Sequence, residues 1–258
     1  MAFSTLTVDD DDGFVTVGID RPGVLNALSR QTLSELRQLL TSVVGVRGMI
    51  LTGSGERAFV AGADIREMSA MTPDEGEEFG RLGQEVTQLI EAAPFPVIAC
   101  VHGYALGGGC ELAMACDYIY ATAEAVFGQP EVRLGLIPAF GGCVRLQRYV
   151  GPGRAREMIY TGRTIDAAHA LRIGLVNQAF ATRTEMLAAA AESLRLVAAN
   201  SPVAVALSKA AVNDARGRAI DAALDIEAHA FRRTFTGQDM REGTQAFLNK
   251  RKPAFPGK

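Results

Sequence analysis

Phe95-Pro-Val-Ile-Ala-Cys-Val-His-Gly-Tyr-Ala-Leu-Gly-Gly-Gly-Cys-Glu-Leu-Ala-Met-Ala-Cys116 is the stretch that decides the fold. The apolar run over residues 95–101 reads as a buried strand, His102-Gly103 ends it, and a glycine-rich turn leads into a helix over residues 111–116. Strand, glycine turn and helix form one unit of an α/β protein. On its N-terminal side, residues 3–8 and 14–19 read as two strands paired across an acidic turn at residues 9–13. The alternation of Val15, Val17 and Ile19 marks the second. Ser29 is a plausible N-cap for a helix carrying Leu33, Leu36 and Leu40, which leads to a strand over residues 48–52. Thr72, Pro73 and Glu75 spell a capping box with proline at the first helical position. Phe79, Leu82, Val86 and Leu89 give that helix one apolar face.

On the C-terminal side, short strands are expected over residues 118–121 and 125–127. Brief helices over 144–150, 155–160 and 165–171 are closed by Gly151, Gly162 and Gly174. A strand over 175–180 ends the mixed region. The remainder is alanine-rich and helical, with a stripe of Met186, Leu187, Ala190, Leu194 and Val197 and a helix start at Ser201-Pro202. No low-complexity tract separates the two parts, so one domain with a helical extension is expected.

Composition narrows the function classes. The 258 residues are 48% hydrophobic and 21% charged, as in ordinary globular proteins, and the net charge of −3 argues against nucleic acid or an anionic membrane as partner. Asp9 to Asp12 stand where a secretory signal needs a basic and then an apolar stretch, and no apolar run is long enough to span a bilayer. The expectation is a cytoplasmic protein. Cys100, Cys110, Cys116 and Cys143 form no C-x-x-C pair and read as reduced, mostly buried thiols. His102, His169 and His229 lack metal-ligand spacing, so no metal is expected.

Two segments place small residues where a strand passes into a helix: Ala61-Gly-Ala-Asp64 and Gly107-Gly-Gly109. Backbone N–H groups at a helix start have no intrahelical partner, so each segment can offer a donor to a ligand oxygen, and two such donors make an oxyanion hole. Tight packing or positive φ explains such glycines equally well. Glu111, in an otherwise apolar stretch, is a candidate acid or base because burial raises a carboxylate pKa. Glu131, in Phe127-Gly-Gln-Pro-Glu-Val132, is the second candidate. Spacing alone leaves both open as helix-start or surface glutamates. Cys110 adjoins Glu111, which raises a thiol pKa and argues against a nucleophile.

Four segments in order resemble the enoyl-CoA hydratase/isomerase (crotonase) superfamily over essentially the whole chain, most closely its hydratases. They are Arg21-Pro-Gly-Val-Leu-Asn-Ala-Leu28, Ala58-Phe-Val-Ala-Gly-Ala-Asp-Ile-Arg-Glu-Met68, Gly103-Tyr-Ala-Leu-Gly-Gly-Gly-Cys-Glu-Leu-Ala113 and Phe127-Gly-Gln-Pro-Glu-Val-Arg-Leu-Gly-Leu-Ile-Pro138. The resemblance implies an α/β spiral of ββα repeats over residues 1–195 holding an acyl-CoA site. Residues 196–258 follow as a helical oligomerisation region of the same domain, giving a homotrimer or a dimer of trimers. It implies oxyanion-hole amides at Ala63 and Gly108, acid–base roles for Glu111 and Glu131, and CoA contacts at Val24, Ala61, Ala63, Asp64, Ile65, Gly108 and Lys250. No cofactor beyond the CoA of the substrate is implied. The implied reaction is hydration of a 2-enoyl-CoA. An enoyl-CoA isomerase, a hydratase for branched or dicarboxylic acyl groups, and a non-enzymatic CoA-binding protein are the alternatives.

Two departures from the family pattern stand out. Near Gly23 many relatives carry a Lys or Arg that contacts CoA phosphates, so that contact is absent here or comes from Arg66 or the C-terminal lysines. Ile137-Pro-Ala-Phe-Gly-Gly-Cys143 replaces the usual Ile-Pro-Gly-x-Gly-Gly-Thr. Ala139 thus stands for a glycine whose amide helps position a catalytic glutamate, and a positive φ there would cost about 1 kcal/mol or more.

Overall fold

The computed structural model describes residues 3–258. β1 (Leu6–Asp11) and β2 (Phe14–Ile19) form an antiparallel hairpin. Its ladder runs three residues further than expected. The turn needs two consecutive residues at positive φ, and Asp12-Gly13 supplies them at 52° and 83°, so Asp9 to Asp11 stay in the strand. α1 (Arg30–Ser42) starts at Ser29, whose hydroxyl accepts the Thr32 N–H at 3.2 Å. Leu39 rather than Leu40 completes its buried face.

A ββα unit then recurs three times. β3 (Gly48–Gly53), β4 (Ala58–Val60) and α2 (Ile65–Met68) form the first, extended by α3 (Pro73–Ala92). β5 (Val97–Val101), β6 (Tyr104–Leu106) and α4 (Gly108–Ala115) form the second. β7 (Tyr118–Thr122), β8 (Val126–Gly128), a 3-10 turn at Glu131–Leu134 and α5 (Gly142–Val150) form the third. The first strand of each unit joins one sheet, of order β1-β2-β3-β5-β7 and parallel from β2 onward. The second joins another, β4-β6-β8. Repetition of one unit across two sheets is the spiral that the resemblance implied. The short strands β4 and β6 carry too little pattern to be read as strands in the sequence.

α6 (Pro152–Thr161) follows, then β9 (Thr164–Asp166), which closes the second sheet antiparallel to β8, and α7 (Ala167–Arg172). The helix expected over residues 165–171 is thus split. Asp166 caps α7 by accepting the His169 N–H at 2.7 Å, which leaves Ile165 extended before it. β10 (Gln178–Phe180) is half the expected length and pairs with β7. α8 (Arg183–Ala198), α9 (Pro202–Asp214), α10 (Ile220–Thr234) and α11 (Asp239–Leu248) form the helical C-terminal third.

The central strands β3 and β5 of the first sheet are buried on both faces, which is why they are almost wholly apolar. Met49, Leu51, Val97, Ala99 and Val101 face the main core, while Ile50, Ile98 and Cys100 face Met186, Ala190 and Leu194 of α8. Cys100, Cys110 and Cys116 are buried free thiols and Cys143 is exposed. Among the described residues no helix is long and apolar enough to cross a membrane, and no group of three or more His, Cys, Asp or Glu side chains is placed to hold a metal ion.

Candidate active site

The turn at Arg21 to Leu28 holds the first glycine-poor donor segment in place. Asn26, buried and at φ 59°, donates to the Ser54 and Ala58 carbonyls at 2.9 and 2.8 Å, and its Oδ1 accepts the Arg21 N–H at 2.9 Å. Asparagine tolerates the left-handed region better than most residues. The anchored turn then bridges the next segment: Leu28 N–H donates to Gly62 O at 2.9 Å and Asp64 N–H donates to Leu28 O at 2.8 Å. These bonds use the groups flanking Ala63. Its own N–H has no backbone acceptor among the described residues. Asp64 caps α2 and pairs with Arg21 at 2.9 Å. Burial works against its charge, but the Arg21 hydrogen bond and pairing hold its carboxyl below the usual range.

Each residue of the triple glycine has a separate reason to lack a side chain. Gly107 is at φ 49°, and a Cβ there would lie 2.8 Å from Glu131 Oε1. A Cβ on Gly108 would press the Phe140 ring at 3.0 Å, and one on Gly109 would run into the Val60 carbonyl. Gly108 opens α4, so its N–H is also free of an intrahelical acceptor. Close packing and donor presentation are therefore properties of the same three residues.

One turn into α4, Glu111 is 2% exposed. Its Oε1 accepts the Phe140 N–H at 2.8 Å and the Gly142 N–H at 2.5 Å. Burial, offset in part by the Gly142 hydrogen bond and reinforced by the nearby Glu131, raises its pKa to about 8. Glu131 starts the 3-10 turn after Pro130 and is half-buried; burial raises its pKa to about 7. With its nitrogen turned toward Glu131, the orientation in which both amide atoms find partners, the fully buried Gln129 donates to both Glu131 oxygens, at 2.9 and 3.2 Å. Two carboxyl groups thus titrate near neutrality beside each other, as a coupled pair.

Glu111, Glu131, Ala61, Ala63, Ile65 and Gly108 all line one cavity of about 300 Å³, walled at its apolar end by α3 and Phe140. Phe79 and Phe140 meet edge to face there, with centroids 5.5 Å apart. Val24, Asp64 and Lys250 do not line it: Val24 is on an exposed turn and Lys250 follows α11. Ala139 is absent from the residues at positive φ, so it carries no strain, and the amides that reach Glu111 belong to Phe140 and Gly142 instead. Sequence reasoning missed those two amides and the Gln129 donor. A buried glutamine two residues before a candidate acid is the signal that Phe127-Gly-Gln-Pro-Glu131 carried for the latter.

The family model described as Enoyl-CoA hydratase/isomerase matches residues 9–258. A crotonyl-CoA hydratase of Syntrophomonas wolfei is 46% identical over the full length of both chains. A short-chain-enoyl-CoA hydratase of Clostridium acetobutylicum is 45% identical over 98% of this chain and 97% of its own. The crystal structure of an enoyl-CoA hydratase from Bacillus anthracis superposes with a TM-score of 0.94 at 37% identity, covering 99% of this chain and all of the other.

Proposed function

The chain belongs to the enoyl-CoA hydratase/isomerase family, and from that premise we propose that it adds water across the C2=C3 bond of a short 2-enoyl-CoA to give the 3-hydroxyacyl-CoA. The observation that carries this reading is two carboxyl groups with raised pKa in the same cavity as two unpartnered amides. An enoyl thioester is a poor electrophile until charge on its carbonyl oxygen is stabilised. The Ala63 and Gly108 N–H groups are suited to donate to that oxygen as the enolate forms, and loss of one such donor typically costs about 100- to 1000-fold in rate.

Water must then be deprotonated at C3 while C2 gains a proton, which calls for one ionised and one protonated carboxyl. A pair titrating near neutrality supplies that state without an external base. In this reading Glu111, fixed by two amides, orients and activates the water, and Glu131 protonates C2. Ala61, Ala63, Ile65 and Gly108 contact the thioester end of the substrate. Val24, Asp64 and Lys250 serve the CoA portion outside the cavity. We place a homotrimer or dimer of trimers on the C-terminal helices, supported by α10, which buries none of its residues while exposing Ile220, Leu224 and Phe231.

The test is loss of the conjugated-thioester absorbance of crotonyl-CoA by the wild type, Glu111→Ala and Glu131→Ala. Turnover to 3-hydroxybutyryl-CoA by the wild type and near-arrest in both variants is expected. Turnover of a 3-enoyl-CoA in place of crotonyl-CoA would replace hydration by isomerisation. Saturable CoA binding without product would refute catalysis.

A further inference from the structure

Residues 139–141 form an irregular turn between Pro138 and α5, and this turn and the first residue of α5 deliver the two amides that grip Glu111, those of Phe140 and Gly142. The turn is held from behind. The Phe140 carbonyl accepts Arg145 Nη1 at 2.9 Å and Thr87 Oγ1 at 3.2 Å. Arg145 is 8% exposed, and its Nε and Nη2 donate to the two oxygens of Glu91 at 3.0 and 2.6 Å. Glu91 in turn accepts Arg216 Nη1 at 2.6 Å, just beyond α9. The fit is close enough that a Cβ on Gly141, which sits at φ 111°, would collide with the guanidinium.

We propose that Arg145 is a positioning residue for Glu111, acting through the Phe140 peptide rather than by touching substrate; the proposal rests on the reading of Glu111 as one of the acid–base pair. Stability alone is a weak reason to bury such a network, because apolar replacement of a buried ion pair is often neutral or stabilising. A fork-shaped guanidinium is suited to the task. It fixes two directions on Glu91 and still aims a third donor at one carbonyl, which a lysine cannot do. The network also has an electrostatic effect. The titratable and charged groups facing Glu111 are Glu131 from the 3-10 turn, Cys110 on its own helix, and Cys143 and Arg145 from α5. Arg145 is the cation among them and favours the ionised carboxylate.

The test compares Arg145→Met, Arg145→Lys and Thr87→Val in crotonyl-CoA hydration. Arg145→Met is expected to lower kcat about 10- to 100-fold with KM within about twofold of wild type, because a small misplacement of a reacting group costs rate more than binding. The limb of the pH profile that reports ionisation of the pair moves to higher pH. Arg145→Lys recovers part of the rate, and Thr87→Val, which removes only the second donor, costs about threefold. A folded Arg145→Met with wild-type kcat and pH limb overturns the proposal. Should that variant not fold, wild-type rates in both Arg145→Lys and Thr87→Val overturn it. An inert wild type would count against the hydratase reading instead, and the proposal would still be decided by infrared titration of the Glu111 carboxyl, with Glu111→Gln as the subtraction. A pKa higher in Arg145→Lys than in wild type supports it, and an unchanged pKa refutes it.

Discussion

Glu111 and Glu131 share one cavity but are held in opposite ways. Glu111 projects from a regular helix, is almost wholly buried, and is fixed by backbone amides of a turn thirty residues away in sequence. Glu131 projects from a single 3-10 turn, is half-buried, and is held by the side chain of its near neighbour Gln129. A carboxylate gripped by peptide groups keeps one direction, which suits holding a water. One held by a side chain retains room to move, which suits delivering a proton to carbon. The difference between them is one of support, since burial raises the pKa of both.

The largest way to break the comparison is to remove either carboxyl. Glu111→Ala and Glu131→Ala are each expected to lower kcat for crotonyl-CoA hydration by about 100-fold or more, and the double variant to fall little further, because the two act as a unit. Steady-state rates of all three variants check this.

Gly142→Ala comes next. Its Cβ would lie 2.9 Å from Glu111 Oε1 and 2.7 Å from the Gln129 amide, so one methyl group disturbs both supports at once. A loss of about 100-fold in kcat is expected. Gln129→Met affects Glu131 alone and is expected to cost about 10-fold, with the pH optimum moving upward as the carboxylate loses its donors. Rates that fall equally in these two variants would erase the distinction between the supports.

A smaller effect appears in stability. The Glu111 carboxyl titrates near about 4.3 in an unfolded chain and near about 8 when folded. Between those values the folded state binds more protons than the unfolded, so this group's contribution to stability falls as pH rises. Glu111→Gln removes that dependence. Its Tm relative to wild type is therefore expected to be higher at about pH 9 than at about pH 5, by several degrees. Calorimetry at the two pH values checks the sign. The smallest effect concerns the CoA end, where Lys250→Ala is expected to raise KM about two- to fivefold with kcat unchanged.

Much of the fold was legible because its signals are local. The capping box at Thr72 and Glu75, the N-cap at Ser29 and the apolar runs of β3 and β5 each declare their element within a few residues. β8 was legible one residue early, but β4 and β6 were not, since such three-residue strands owe their pairing to neighbouring units of the spiral rather than to their own pattern. In the site, Glu111 and the two small-residue segments were visible as unusual residues in unusual company. Their meeting was not, because the grip on Glu111 comes from peptide groups, and every residue except proline carries an N–H. Ala139 illustrates the same limit. The sequence pointed to its amide, whereas the turn geometry hands the task to Phe140 and Gly142. Arg145 was invisible for a related reason: nothing in its spacing reveals that its side chain folds back onto a carbonyl five residues earlier.

The central claim is that Glu111 directs water to C3 and Glu131 delivers a proton to C2 from the same cavity, and hydration of crotonyl-CoA in deuterium oxide tests it most directly. Proton couplings in the 3-hydroxybutyryl-CoA product report which face of C2 received deuterium relative to the hydroxyl at C3. If the two carboxyl groups act from one side of the enoyl group, hydroxyl and deuterium arrive on the same face, and the product is a single diastereomer at C2. Deuterium on the opposite face, or on both faces equally, would contradict the account.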